Sequence, residues 1–268
     1  MNLLKLLSWE VERVTKPFLT LVAGLIVIQF GYLGYFLWDE TNFYEQLRRE
    51  GNADYQLSFL NYLNGTPYLL SLGIAVAAVL LYSVWIWYRD FQGRGTFMMR
   101  LLTMPQKRMT LFFAKLATIL MMTLGLFAIE WIALKLQYIA FTSWFDGKMI
   151  PMGGSFEQAI SYHGMLMVMY PSSLINFIIH QLIITIAVLF IFAFVLIERS
   201  LWQRTMWSPV LSLSILVVIL TIPILGYAFL SNRLIYDETI VYVGMVLVVW
   251  TSVTIWLGRR FLQTKLNV

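Results

Sequence analysis

The chain has 268 residues, 60% of them hydrophobic and only 12% charged, with a formal net charge of +5 and no cysteine. Soluble domains carry about 25% charged residues, so this composition reads as a polytopic membrane protein whose spans leave no room for a further large soluble domain. Disulfides, thiol catalysis and cysteine metal sites are excluded, and the basic residues, gathered between apolar runs, are a topology signal rather than a nucleic-acid one.

Residues Leu3 to Lys16 place Leu3, Leu6, Leu7, Val11 and Val14 near one face at helical spacing, with Lys5, Glu12, Arg13 and Lys16 elsewhere. Trp9 suits a headgroup layer. Segment 1–16 therefore reads as an amphipathic interfacial helix on the inner leaflet, with a charged lead-in to the first span as the alternative. Its charge, and the length of the run after Pro17, argue against a cleavable signal peptide.

Six apolar runs follow: Phe18 to Trp38, Pro67 to Tyr88, Leu111 to Leu134, Ser173 to Ile197, Pro209 to Leu230 and Ile240 to Leu257. Each approaches the roughly 20 residues that a helix needs to cross a bilayer. Pro223, inside the fifth, predicts a kink. The expected fold is all-α, with six transmembrane helices in a single domain spanning 1–268.

Fourteen Lys and Arg fall on the side of the termini, against five on the other, while most acids fall opposite. The positive-inside bias places both termini in the cytoplasm and makes 89–110 a cytoplasmic loop. Arg89, Arg94, Arg100, Lys107 and Arg108 face a single acid there, Asp90. Thr96 can cap a short helix, about Phe97 to Thr103, that Pro105 stops. Held under the membrane by two spans, such a helix is a lever that a soluble partner could push. The outer loops are unequal. Asp39 to Glu50 could form a short surface helix, and 135–172 could hold an interfacial or re-entrant piece.

Chemical motifs are few. No GxxxxGK[ST] occurs, so no nucleoside triphosphate is cradled that way. His163 and His180 form no HExxH pattern. Glu130 sits about 28 Å along the third span, near its outer end, where it either lines a substrate path or snorkels to the headgroups. Lys135 lies about 140° round the helix from it, too far for a pair on one face. His180, inside the fourth span, is read as an interhelical hydrogen bond or part of the same path.

Gly95-Thr96-Phe97, Arg100-Leu101-Leu102-Thr103-Met104-Pro105-Gln106-Lys107-Arg108 and then Lys115 resemble the "GT…LLxxPxxR…K" pattern of the first cytoplasmic loop in type-2 ABC-exporter permeases. Six spans, cytoplasmic termini and an amphipathic N-terminal helix are also that family's layout. The chain departs from it before Gly95, where Glu is frequent but Arg89, Asp90 and Gln92 stand with Asp90 the only acid, at Met104 before the proline, and in the long segment between the third and fourth runs. The resemblance implies an ATP-driven exporter subunit in a bacterial plasma membrane. Two copies of a separate ABC ATPase would bind ATP and Mg, and a second permease, identical or related, would complete the pathway. Thr96, Phe97, Arg100, Leu101, Leu102, Met104, Pro105, Lys107 and Arg108 would then be the ATPase-coupling residues, and Glu130 and His180 possible substrate-path residues. The chain itself would be no enzyme and hold no cofactor or metal. Its expected cargo is amphipathic: a peptide, lipid-like molecule or drug. The alternative is a secondary transporter or channel without an ATPase.

Overall fold

The computed structural model describes residues 3–50, 58–92, 108–145, 155–202 and 236–264. Among these residues there are eight α-helices and no strand. They are α1 (Leu3–Arg49), α2 (Phe59–Leu63), α3 (Thr66–Gln92), α4 (Arg108–Trp144), α5 (Phe156–Tyr162), α6 (Gly164–Met169), α7 (Leu174–Trp202) and α8 (Tyr236–Thr264). Four of them, α1, α3, α4 and α7, are long and apolar enough to cross a membrane. Apolar side chains such as Val27, Leu81, Leu174 and Ile175 are exposed, as a surface facing hydrocarbon requires. The fifth expected span, with Pro223, and the segment holding Thr96, Phe97, Arg100, Leu101, Leu102, Met104, Pro105 and Lys107 lie outside the described residues.

Three boundaries differ from the sequence expectation. Residues 3–16 do not form a helix of their own. They run on into the first span as one helix of 47 residues, with Pro17 inside it. A proline removes one backbone donor, but it does not end a helix whose neighbouring turns stay bonded. One turn on, the Thr20 hydroxyl donates to the Lys16 carbonyl at 3.0 Å. The same helix absorbs 39–49, which is therefore a continuation rather than a separate surface helix. Likewise α4 does not stop at Leu134 but continues to Trp144, so Tyr138 to Trp144 is helix rather than a re-entrant piece. Lys135 does not break it, because its ammonium lies over the Trp131 and Phe156 rings, 5.5 and 5.9 Å from their centroids.

Backbone contacts group the chain into two compact units. The first comprises Met1–Val11, Leu80–Ile119 and Ile183–Val268. Its packing includes Trp87, Phe112 and Phe192, all fully buried, with centroids 5.4 to 6.2 Å apart. Gly258 of α8 lies against them, where an added Cβ would stand 3.1 Å from the Phe112 ring.

The second unit comprises Glu12–Val79 and Leu120–Leu182. Its core is aromatic: Phe59, Tyr62, Tyr68, Phe141 and Phe145 are buried with Leu33, Leu63 and Leu134. Local caps start its short helices. Ser58 accepts from the Leu60 N–H at α2, and Ser155 with Gln158 forms a capping box at α5. At the α2–α3 turn Gly65 leaves room for the Tyr32 phenol, which an added Cβ would displace.

Candidate functional site

Each unit holds one buried polar cluster. In the first unit the cluster sits where α3 ends and α4 begins, the two helices that flank segment 93–107. Lys115 occurs within an apolar run and is fully buried. Its three ammonium hydrogens have three acceptors: Glu10 Oε1 at 3.1 Å, Asp90 Oδ2 at 2.5 Å and the Ile86 carbonyl at 2.8 Å. Arg89 donates from Nη2 to Glu10 Oε2 at 2.9 Å, and its Nε stands 3.9 Å from Asp90 Oδ1. The Trp87 ring adds a cation–π contact, its centroid 5.2 Å from Lys115 Nζ.

Two carboxylates and two cations therefore neutralise one another, with Glu10, Asp90 and Lys115 out of water and Arg89 partly exposed, and such mutual neutralisation is the condition under which a buried ion pair is tolerated. Tyr88 and Glu198, bonded hydroxyl to carboxylate, extend the polar contacts to α7.

Sequence reasoning treated Lys115 and Arg89 as topology charges and missed this cluster. Its partners are 105 and 25 residues away along the chain, so no spacing could show them. The available signal was composition: Glu10 and Asp90 are acids on an otherwise basic side, and Lys115 interrupts an apolar run. Arg108, assigned to coupling, is the first residue of α4.

In the second unit Glu130 of α4 is 8% exposed, so it does not snorkel. Its Oε1 accepts from Tyr68 Oη at 2.9 Å and from Gln29 Nε2 at 3.0 Å, and its Oε2 also lies 3.0 Å from Gln29 Nε2. Gln29 is fixed from three further sides. Its Nε2 donates to Ser71 Oγ at 3.1 Å, its Oε1 accepts from Gln137 Nε2 at 3.0 Å, and its backbone carbonyl accepts from Tyr62 Oη at 3.0 Å. One acid thus joins α1, α2, α3 and α4 through neutral donors. Gln29, Tyr68, Ser71 and Gln137 were not foreseen. The pairing of Glu130 with Lys135 is absent, as the helical angle between them requires.

His180 is not brought to Glu130. Its Nδ1 is buried and has no hydrogen-bond partner among the described residues. The other histidine is the structured one. His163 caps α6 by accepting the Leu166 N–H at Nδ1, 3.2 Å away, while Nε2 lies 3.1 Å from the Leu63 carbonyl. This pairing requires the proton on Nε2. Burial pushes the His163 ring below the usual histidine range, partly offset by its backbone hydrogen bonds.

A crevice of about 530 Å³ opens beside Trp131, with Tyr170, Leu174 and Phe177 as apolar walls and Glu157 and Ser161 as polar ones. No group of three or more His, Asp or Glu that could hold a metal occurs among the described residues. Compared with known proteins, the chain matches no family model, no curated protein and no solved structure.

Proposed function

We propose that the chain is the membrane subunit of an ATP-driven exporter of the type-2 ABC permease kind. The observation that carries this reading is the cluster of Glu10, Arg89, Asp90 and Lys115. It clamps the end of α3 to the start of α4 and to the N-terminal turns of α1. A push on segment 93–107 would therefore be delivered to two long helices tied together at their bases, rather than being absorbed in a loose connection. The loop pattern Gly95-Thr96 through Arg108 agrees with such a foot.

In this reading two ATPase subunits bind ATP and Mg, and their closure moves the 97–103 helix. Leu101, Leu102 and Met104 supply apolar contact, while Arg100, Lys107 and Arg108 meet acidic groups of the ATPase or inner-leaflet phosphates. Thr96 caps the foot, Phe97 opens it and Pro105 ends it. A second permease, identical or related, completes the pathway in a bacterial plasma membrane. The aromatic crevice beside Trp131 suits an amphipathic cargo.

The test is co-purification. Replacing Leu101 and Leu102 together with Asp strips the ATPase from the complex while leaving membrane insertion intact. Retention of the ATPase sinks the assignment. A second reading, a secondary transporter without an ATPase, is favoured by one observation, the buried Glu130 with no cationic partner among the described residues. Flux in vesicles that persists without any ATPase subunit would select it.

A further inference from the structure

We propose that Glu130 is a proton-binding site: a carboxyl that alternates between a carboxylate held by Gln29 and Tyr68 and a neutral acid that donates to Gln29. A carboxylate removed from water is ordinarily matched by a cation. Here every contact among the described residues is neutral. The titratable groups around it are Tyr62 of α2, Tyr68 of α3 and Tyr170 after α6, whose hydroxyl donates to the Phe127 carbonyl at 2.7 Å. No Lys, Arg or His among the described residues pairs with Glu130, and the nearest lysine along the helix, Lys135, is turned onto the Trp131 and Phe156 rings.

The donor set selects a proton over a metal ion. Sodium or potassium needs several oxygens converging with free lone pairs. The Glu130 oxygens instead face an amide N–H and a phenol O–H, both of which point hydrogens at them. A proton needs one carboxylate oxygen and one acceptor, and Gln29 can supply the acceptor. The terminal amide torsion of glutamine is broad and two-fold, so a half-turn exchanges its oxygen and nitrogen.

After that turn Gln29 Oε1 accepts from the Glu130 acid, and Gln29 Nε2 faces Gln137. Gln137 is fully buried, and its Oε1 has no partner in the present arrangement. A matching half-turn of Gln137 brings that spare oxygen to the turned amide as its acceptor. Proton uptake (one carboxylate plus one proton from water giving one neutral carboxyl) therefore reorders hydrogen bonds that join α1, α3 and α4. This step involves no ATPase and stands apart from the exporter reading.

The experiment is an infrared pH titration of the full chain in lipid nanodiscs, over about pH 5 to about pH 9. The wild type is expected to show one more titrating carboxyl band than Glu130→Gln, at the position of a dehydrated acid. Identical titrations of the two proteins would overturn the proposal. So would suppression of the band by sodium or potassium at constant ionic strength, which would mark a metal-cation site. If Glu130→Gln fails to fold, Tyr68→Phe serves, since it keeps the acid and removes one donor to its charged form. The band then persists to a pH about 1 to 2 units more alkaline than in the wild type. An unmoved midpoint overturns the proposal.

Discussion

Each hydrogen of the Lys115 ammonium has its own acceptor, and each of the two acids around it touches a second cation contact through Arg89. This arrangement is strong only as a whole. Lys115→Met leaves Glu10 and Asp90 buried with Arg89 alone, and loss of one member of a buried charged set costs about 3–5 kcal/mol. The expected outcome is a large fall in thermal stability, followed by partial recovery in Lys115→Met with Asp90→Asn, where the surplus negative charge is gone. Measuring unfolding of both variants in detergent checks it, and equal stability of the two would argue that charge balance is not what holds the cluster. These residues show why the site was only half legible. A lysine in an apolar run is visible in sequence, but the acids that accept its hydrogens come from two other helices, and one-dimensional spacing carries no trace of them.

At the scale of the element, α6 depends on a histidine. Its first turn is capped by His163 Nδ1, which must be unprotonated to accept the Leu166 N–H. Burial holds this ring below the ordinary histidine range of about 6.5, so the fold prefers the neutral form. The stabilisation is complete above that ordinary value and is lost as pH falls through the lower folded value. Hydrogen exchange of amides 164–169, corrected for intrinsic rate, should therefore speed up as pH falls from about 7 to about 5, by an amount matching about 1 kcal/mol for a lost cap. His163→Asn keeps a cap acceptor and has nothing to titrate, so its corrected exchange should be flat. The four long apolar helices were legible: the runs behind α1, α3, α4 and α7 announce themselves by length and apolarity, whereas the short α2, α5 and α6 do not. Their ends were not. Pro17 and Lys135 look like stops in sequence, yet one is carried inside a long helix and the other finds two aromatic faces. Local helix bonding carries the first and a tertiary contact helps the second.

For the whole molecule, the charge bias makes a prediction that does not depend on the function. On the six-span reading of the sequence, fourteen basic residues fall on one side and five on the other, which predicts cytoplasmic termini. Terminal tags should therefore resist protease in intact cells and be cleaved in inside-out vesicles. A tag at either end cut in intact cells would reverse or break the topology. The buried cluster of the first unit bears on how the protein responds to salt. Free charges on a wet loop weaken as ions accumulate, within a screening distance of about 8 Å at physiological strength. Lys115, Glu10 and Asp90 are shut away from solvent ions. A cell that shrinks under osmotic stress and concentrates its potassium should therefore leave this knot tied, so brine alone does not unpick the helices that meet at it.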